Sequence, residues 1–177
     1  MWNKVMVIGA IIGLAGCGSL ANQHEETSAA SPVAGPVTVV ASSAQCHFGD
    51  RQLKARWVVD AQDADAVFKR MGRVRFSGDA TVPPELDFSR QRALLISLGA
   101  KPTPGYGIDV AEEASITDGV LTLAVALTTP PPGSILPQVL TMPCVVLTVP
   151  REGYQRLALV DTDGQMLLPS LPIDHSD

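Results

Sequence analysis

Residues 118–127, Asp118-Gly119-Val120-Leu121-Thr122-Leu123-Ala124-Val125-Ala126-Leu127, set the fold class of this chain. Leu121, Leu123, Val125 and Leu127 alternate with Thr122, Ala124 and Ala126, a period of two that lays an apolar row along one face of a strand. Asp118-Gly119 in front of it is a hairpin signal, because both central residues of a type I′ turn need positive φ. The rhythm continues outward in both directions. Leu94, Ile96 and Leu98 alternate with Leu95 and Ser97, and Ile108 and Val110 flank Asp109. Val145, Leu147 and Val149 form another row, followed by Leu157 and Leu159, a second Asp-Gly turn at Asp163-Gly164, and a short run at Met166, Leu167 and Leu168.

Towards the N-terminus the signal is mixed. Residues 37–41 are a β-branched run, and Ala55, Trp57 and Val59 alternate with Lys54, Arg56 and Val58, which predicts a half-buried strand with Trp57 as a core anchor. Asp60 then reads as an N-cap and Asp63 as a first-turn acid. Ala64, Val67, Phe68 and Met71 sit at helical spacing, and Gly72 is a stop, which predicts one amphipathic helix over residues 61–71. Residues 73–92 carry one short strand signal around Val74 and Phe76, then Pro83-Pro84, which predicts an irregular connection. The sum is a mainly β fold: an antiparallel β-sandwich or partly open barrel of about seven or eight short strands with one packed helix.

The first residues read differently. Lys4 precedes an apolar stretch of about eleven residues, too short to span a bilayer, and Leu14-Ala15-Gly16-Cys17 follows it. This arrangement resembles the cleavage signal of bacterial lipoproteins. The resemblance implies that residues 1–16 are removed and that Cys17 becomes the mature N-terminus, carrying a thioether-linked diacylglycerol and an amine-linked acyl chain. Several acyl chains anchor stably where one alone binds marginally, at about 0.8 kcal/mol per buried CH₂. Gly18, rather than aspartate, stands after the cysteine, so the expected address is the periplasmic face of the outer membrane in the cell envelope. Residues 17–36, rich in Ser, Ala, Asn, Gln and Glu without hydrophobic period, read as a flexible tether, and residues 37–172 as a single domain.

Removal of Lys4 takes the formal charge from −5 to −6. Nine basic and six acidic residues lie between Arg51 and Arg92, against three basic and nine acidic from Ala93 onward. A folded domain mixes these halves, and no basic run interleaved with aromatics points to nucleic acid. Once Cys17 is set aside, Cys46 and Cys144 are an even pair in an oxidising compartment, for which a disulfide is the economical reading and two separate thiols the alternative. Closing so long a loop removes about 4.7 kcal/mol of unfolded-state freedom in the chain-entropy picture. A zinc site through Cys46-His47 and Cys144 ranks far below, since no CxxC or HxxxH spacing completes four ligands.

Two connections break the strand rhythm: Lys101-Pro102-Thr103-Pro104-Gly105-Tyr106-Gly107 and Thr129-Pro130-Pro131-Pro132-Gly133-Ser134-Ile135-Leu136-Pro137. Proline fixes φ and removes a donor, so these loops are stiff, and a stiff loop with an apolar tip loses little entropy on binding. The candidate partner-binding residues are therefore Lys101, Pro102, Thr103, Pro104, Gly105, Tyr106, Pro132, Gly133, Ile135 and Leu136. Plain turn chemistry is the competing explanation.

From Asp87-Phe88-Ser89 through the apolar strand at Leu94, the Pro102-Thr103-Pro104-Gly105-Tyr106 segment, Asp118-Gly119, Pro132-Gly133 and the strand ending at Pro150, the sequence resembles the C-terminal domain of PrcB-like proteins. Pro104 stands where that family usually has a second glycine. The resemblance, over residues 87–150, implies a non-catalytic accessory subunit that binds and stabilises a protease complex. A weaker likeness of the first loop to chagasin-type peptidase inhibitors lacks that family's Arg-Pro-Trp element, and leaves inhibition as the alternative beside a structural envelope role.

Catalytic parts are sparse. Of three histidines, His24 falls in the tether and His175 at the C-terminus, leaving His47. No Gly-x-Ser-x-Gly elbow, metalloprotease helix or phosphate-binding loop is present, and neighbouring carboxylates on a strand, as at Glu112-Glu113, point to opposite faces. The expectation is a protein-binding module without cofactor, metal or small-molecule substrate.

Overall fold

The computed structural model describes residues 33–72, 74–76 and 82–173. Cys17, His24, His175 and the expected leader lie outside the described residues, as does most of the expected tether. In chain order the elements are β1 (Val33–Pro36), β2 (Thr38–Ser43), β3 (Gln45–Cys46), β4 (Lys54–Val58), α1 (Ala61–Arg70), β5 (Met71–Gly72), β6 (Arg75–Phe76), β7 (Gln91–Ser97), β8 (Gly107–Val110), β9 (Glu113–Thr117), β10 (Val120–Thr128), β11 (Cys144–Pro150), β12 (Arg156–Val160) and β13 (Leu171–Pro172). The first sheet has the order β1-β9-β10-β12-β13, with β8 also on β10; the second has the order β4-β7-β11-β2-β6; β3 and β5 form a small third pair.

The two large sheets face each other across one core. Leu121, Leu123, Val125, Leu157 and Leu159 from the first sheet meet Leu94, Ile96, Val145, Leu147 and Val149 from the second. Trp57 lies at this core's border, where its indole N–H donates to the Pro172 carbonyl at 3.0 Å. Tyr154 is buried in the same core and its hydroxyl donates to the Pro150 carbonyl at 2.7 Å; burial pushes its phenol far above the usual tyrosine range.

The second sheet has another core on its far side, where Ala93, Leu95, Val146, Val40 and Ala41 pack with Ala64, Val67 and Phe68 of the helix. Central strands β7 and β11 are thus buried on both faces: beside the expected rows at Leu94 and Ile96 and at Val145, Leu147 and Val149, the intervening Leu95 and Val146 fill the helix-side core. Cys46 and Cys144 are joined in this second core, with Cα atoms 6.0 Å apart, so the disulfide ties β3 to the start of β11.

The helix begins as its sequence indicates: Asp60 caps it by accepting the Asp63 N–H at 2.7 Å. The Asp63 carboxylate takes two bonds from the Arg56 guanidinium on β4, and these hold it below the ordinary carboxylate range against the opposing effect of burial. The helix stops at Arg70, one residue before the expected end, because Met71 turns to an extended backbone with its N–H on the Phe68 carbonyl and starts β5. Val59, expected beside Ala55 and Trp57, lies past the end of β4 and is exposed, while Val58 fills the helix-side core.

Four other expectations change. Thirteen strands occur among the described residues, not seven or eight, because two-residue pairings such as β3, β5, β6 and β13 leave no periodicity to read. Pairing is not wholly antiparallel: β10 and β12 run parallel, since the chain visits the opposite sheet as β11 between them. Ordered pairing begins inside the expected tether, where β1 joins β9 through Val33↔Ile116 to Pro36↔Glu113. Asp118 and Gly119 both have positive φ and form the expected hairpin turn, but at Asp163-Gly164 only Gly164 does. There the Asp161 carboxylate accepts the Asp163 and Gln165 N–H groups, which shapes a longer turn and accounts for that acid without chemistry.

One glycine is fixed by close approach. Gly99 has φ +71, and a Cβ there would stand 2.5 Å from the Arg51 carbonyl carbon and the Gln52 nitrogen, both backbone. Gly99→Ala is expected to lower unfolding free energy by about 3 kcal/mol, whereas Gly119→Ala, with open space around its positive-φ position, costs only about 1 kcal/mol. Urea midpoints of the two variants check this, and equal midpoints would remove the close-approach explanation.

Candidate functional site

The two proline-rich loops come together because of one strand pair. In the β8–β10 register Gly107 faces Thr128, so the first loop enters β8 where the second leaves β10. The far ends are clamped as well. Lys101 N–H donates to the Thr141 carbonyl at 2.8 Å and Thr141 N–H returns to the Lys101 carbonyl at 2.9 Å, while the buried Thr141 hydroxyl donates to the Thr103 carbonyl at 3.0 Å. Between these ends the loops touch. Gly105, at φ +95, lies so close to Pro130 that a Cβ would sit 3.1 Å from its ring. Pro104 is accommodated beside it as a half-buried residue.

Inside the second loop the Ser134 N–H and hydroxyl both donate to the Pro131 carbonyl, at 3.2 and 2.7 Å, closing a turn with Gly133 at φ +79 in the corner. The side chains that follow have nowhere to go but outward. Ile135 is fully exposed, Val139 is 50% and Leu140 58% exposed, and Leu136 is half-buried. In the first loop Tyr106 is half-buried, with the Lys101 ammonium 5.6 Å from its ring centroid, inside cation–π range. Pro102 and Gly105 are exposed and Thr103 is half-buried; Pro132 and Gly133 are exposed. All ten expected docking residues therefore lie at one end of the sandwich.

The sequence reading missed Val139 and Leu140. Their signal was two apolar residues after Pro137 outside any strand alternation. It also missed Arg75, which β6 carries to a groove of about 680 Å³ shared by Ser42, Gln45, Tyr106, Ile108 and Val139. Arg75 and Lys101 have no carboxylate within ion-pair distance among the described residues. The groove's lining is thus partly apolar and carries Arg75 and Asp109 as its charged side chains.

His47 is exposed and lies elsewhere, its Nδ1 3.2 Å from the Arg70 carbonyl at the helix end. No group of three or more His, Cys, Asp or Glu side chains comes together to hold a metal ion among the described residues. Nor does any helix among them have the length and apolarity to cross a membrane.

Residues 93–150 match the family model described as PrcB C-terminal, a span that runs from β7 to β11 and contains both loops. The chain resembles that family over this third of its length. Neither the curated proteins nor the solved structures contain a match.

Because Ile135 makes no buried contact, Ile135→Asp is expected to leave the thermal midpoint within the range of a neutral surface change, about 0.5 kcal/mol, while Leu147→Ala in the core costs about 3 kcal/mol. A large loss with Ile135→Asp would make the loop a packing element rather than a presented surface.

Proposed function

We propose that this chain is a lipid-anchored accessory protein of the bacterial envelope that binds and stabilises a partner protein, a secreted protease complex, without catalysing a reaction itself. The observation that carries the reading is the fully exposed Ile135 beside Val139 and Leu140 on a proline-stiffened loop closed at both ends. Apolar side chains held in water gain free energy when a binding event covers them, and the stiff backbone has little freedom left to lose. The resemblance of residues 93–150 to the PrcB C-terminal family supports a protease complex as the partner.

The lipid on Cys17 supplies the address. A compact domain that begins at Val33 stands at most about 50 Å from its anchor, at roughly 3.3 Å per extended residue. Confinement near a membrane raises the effective concentration of any partner held at the same surface, so modest loop contacts suffice. The outer membrane's periplasmic face is the proposed location.

Two measurements test this. Crosslinking in intact envelopes followed by purification should recover a protease partner, and Tyr106→Ala combined with Ile135→Asp should reduce its recovery at least about tenfold and shorten the protease's lifetime. Unchanged recovery removes the loop assignment, and lowered protease turnover with unchanged lifetime indicates an inhibitor instead. Mass spectrometry of the mature chain should find Cys17 at the N-terminus with its acyl chains, and retention of residues 1–16 without fatty acid ends the anchoring part of the proposal.

A further inference from the structure

Where the chain crosses from one sheet to the other, a strand edge is left without a partner among the described residues. β1 runs antiparallel to β9, and beyond its end the Val37 N–H still donates to the Glu112 carbonyl at 2.8 Å. Continued on that line, the register would put Val39 opposite Val110 and Ala41 opposite Ile108. Instead Val39 pairs with Leu147 and Ala41 with Val146 in the second sheet. Gly35 permits the crossing, since a Cβ there would stand 2.8 Å from the Pro150 ring at the end of β11.

Among the described residues β8 is consequently bonded on one side only. The Ala111 N–H donates to the Ala124 carbonyl at 3.0 Å, which fixes the alternation along the strand. Gly107 and Asp109 direct their main-chain groups to β10, and Ile108 and Val110 direct theirs outward. Among the described residues none bonds those outward groups.

Other edges carry protection. Pro36 closes β1, Pro172 closes β13, β4 bears Lys54 and Arg56, and β6 is two residues long. β8 has no proline and no basic residue, and its one charge, Asp109, is occupied by the Thr128 hydroxyl at 2.8 Å. The groove of about 680 Å³ opens against this edge, with Tyr106 and Ile108 from the first sheet's side and Arg75 from the second's. Arg75, which meets no carboxylate among the described residues, and Asp109, which holds the Thr128 hydroxyl, are the charged side chains lining that groove, with Lys101 near it over Tyr106.

We propose that the outer edge of β8 receives an extended, acidic segment of the partner protein as an added antiparallel strand. Its main chain bonds the outward N–H and C=O groups of Ile108 and Val110, and a carboxylate side chain meets Arg75. Strand addition draws affinity from the main chain and selectivity from alternate side chains. The inference rests on the partner-binding reading above and names its mode.

The test is a titration of the isotope-labelled full chain, in detergent micelles, with a capped hexapeptide of alternating valine and glutamate. Amide signals of Ile108 and Val110 should shift, and their hydrogen exchange should slow at least about tenfold at saturation. A copy of the peptide N-methylated at every residue should do neither, because it cannot pair. Arg75→Glu should weaken binding about tenfold and favour a peptide with lysine in place of glutamate. Equal shifts with the N-methylated copy, shifts confined to residues 135–140, or no shift at millimolar peptide overturns the proposal. In the crosslinking experiment, partner recovery lost with Ile135→Asp but untouched by Arg75→Glu overturns edge pairing alone and leaves partner binding standing.

Discussion

The structure depends on a sheet that must be apolar on both faces. β7 and β11 carry the core between the sheets on one side and the helix-covered core on the other, so nearly every residue from Ala93 to Leu98 and from Cys144 to Val149 is buried. This central position leaves little tolerance at their ends. Gly99 passes against the Arg51 and Gln52 backbone just after β7, and Gly35 passes against Pro150 at the end of β11. The disulfide ties the same strand to β3 in the helix-side core. Both loops that leave this region are held by main-chain bonds to each other's ends, so their geometry is inherited from the central strands rather than chosen locally.

What was legible in the sequence follows from the same constraint. Strong periodicity marks residues with one buried and one open face, and β10, with Leu121, Leu123 and Val125 inward, was plain for that reason. Asp60 and Asp63 announced the helix because capping is a local event. β13 and the β3–β5 pair carry two residues per strand and owe their existence to long-range neighbours, so no local pattern could reveal them. β1 was hidden by its Gly35-Pro36 composition, which reads as linker until the close approach to Pro150 is seen. The parallel β10–β12 pairing is a matter of topology, decided by where β11 goes between them.

The candidate site was legible in part. Proline and glycine content located both loops, and the Ile135 tip is where the loop reading put it. Their juxtaposition was not readable, since it follows from the Gly107↔Thr128 pairing and the Lys101–Thr141 bridge, contacts between residues far apart in sequence. Arg75 was equally invisible. It sits in a weakly patterned stretch and reaches the groove only because β6 pairs with Ala41 and Ser42 on β2.

That β6 pairing also explains why stiff loops and an open strand edge occur at the same end of the molecule. The crossing at Val37 takes the chain away from β8 and commits it to β2, and β2 then recruits β6 and with it Arg75. A sheet that loses its outer strand midway exposes backbone groups that water satisfies at little cost, but a partner strand satisfies them while also burying the flanking apolar side chains. Flexible loops beside such an edge would fold over it and compete with a partner. Proline-fixed loops bonded at both ends, with Gly105 packed on Pro130, do not have that freedom. Stiffness therefore does two things here: it presents Ile135 to solvent, and it keeps β8 clear.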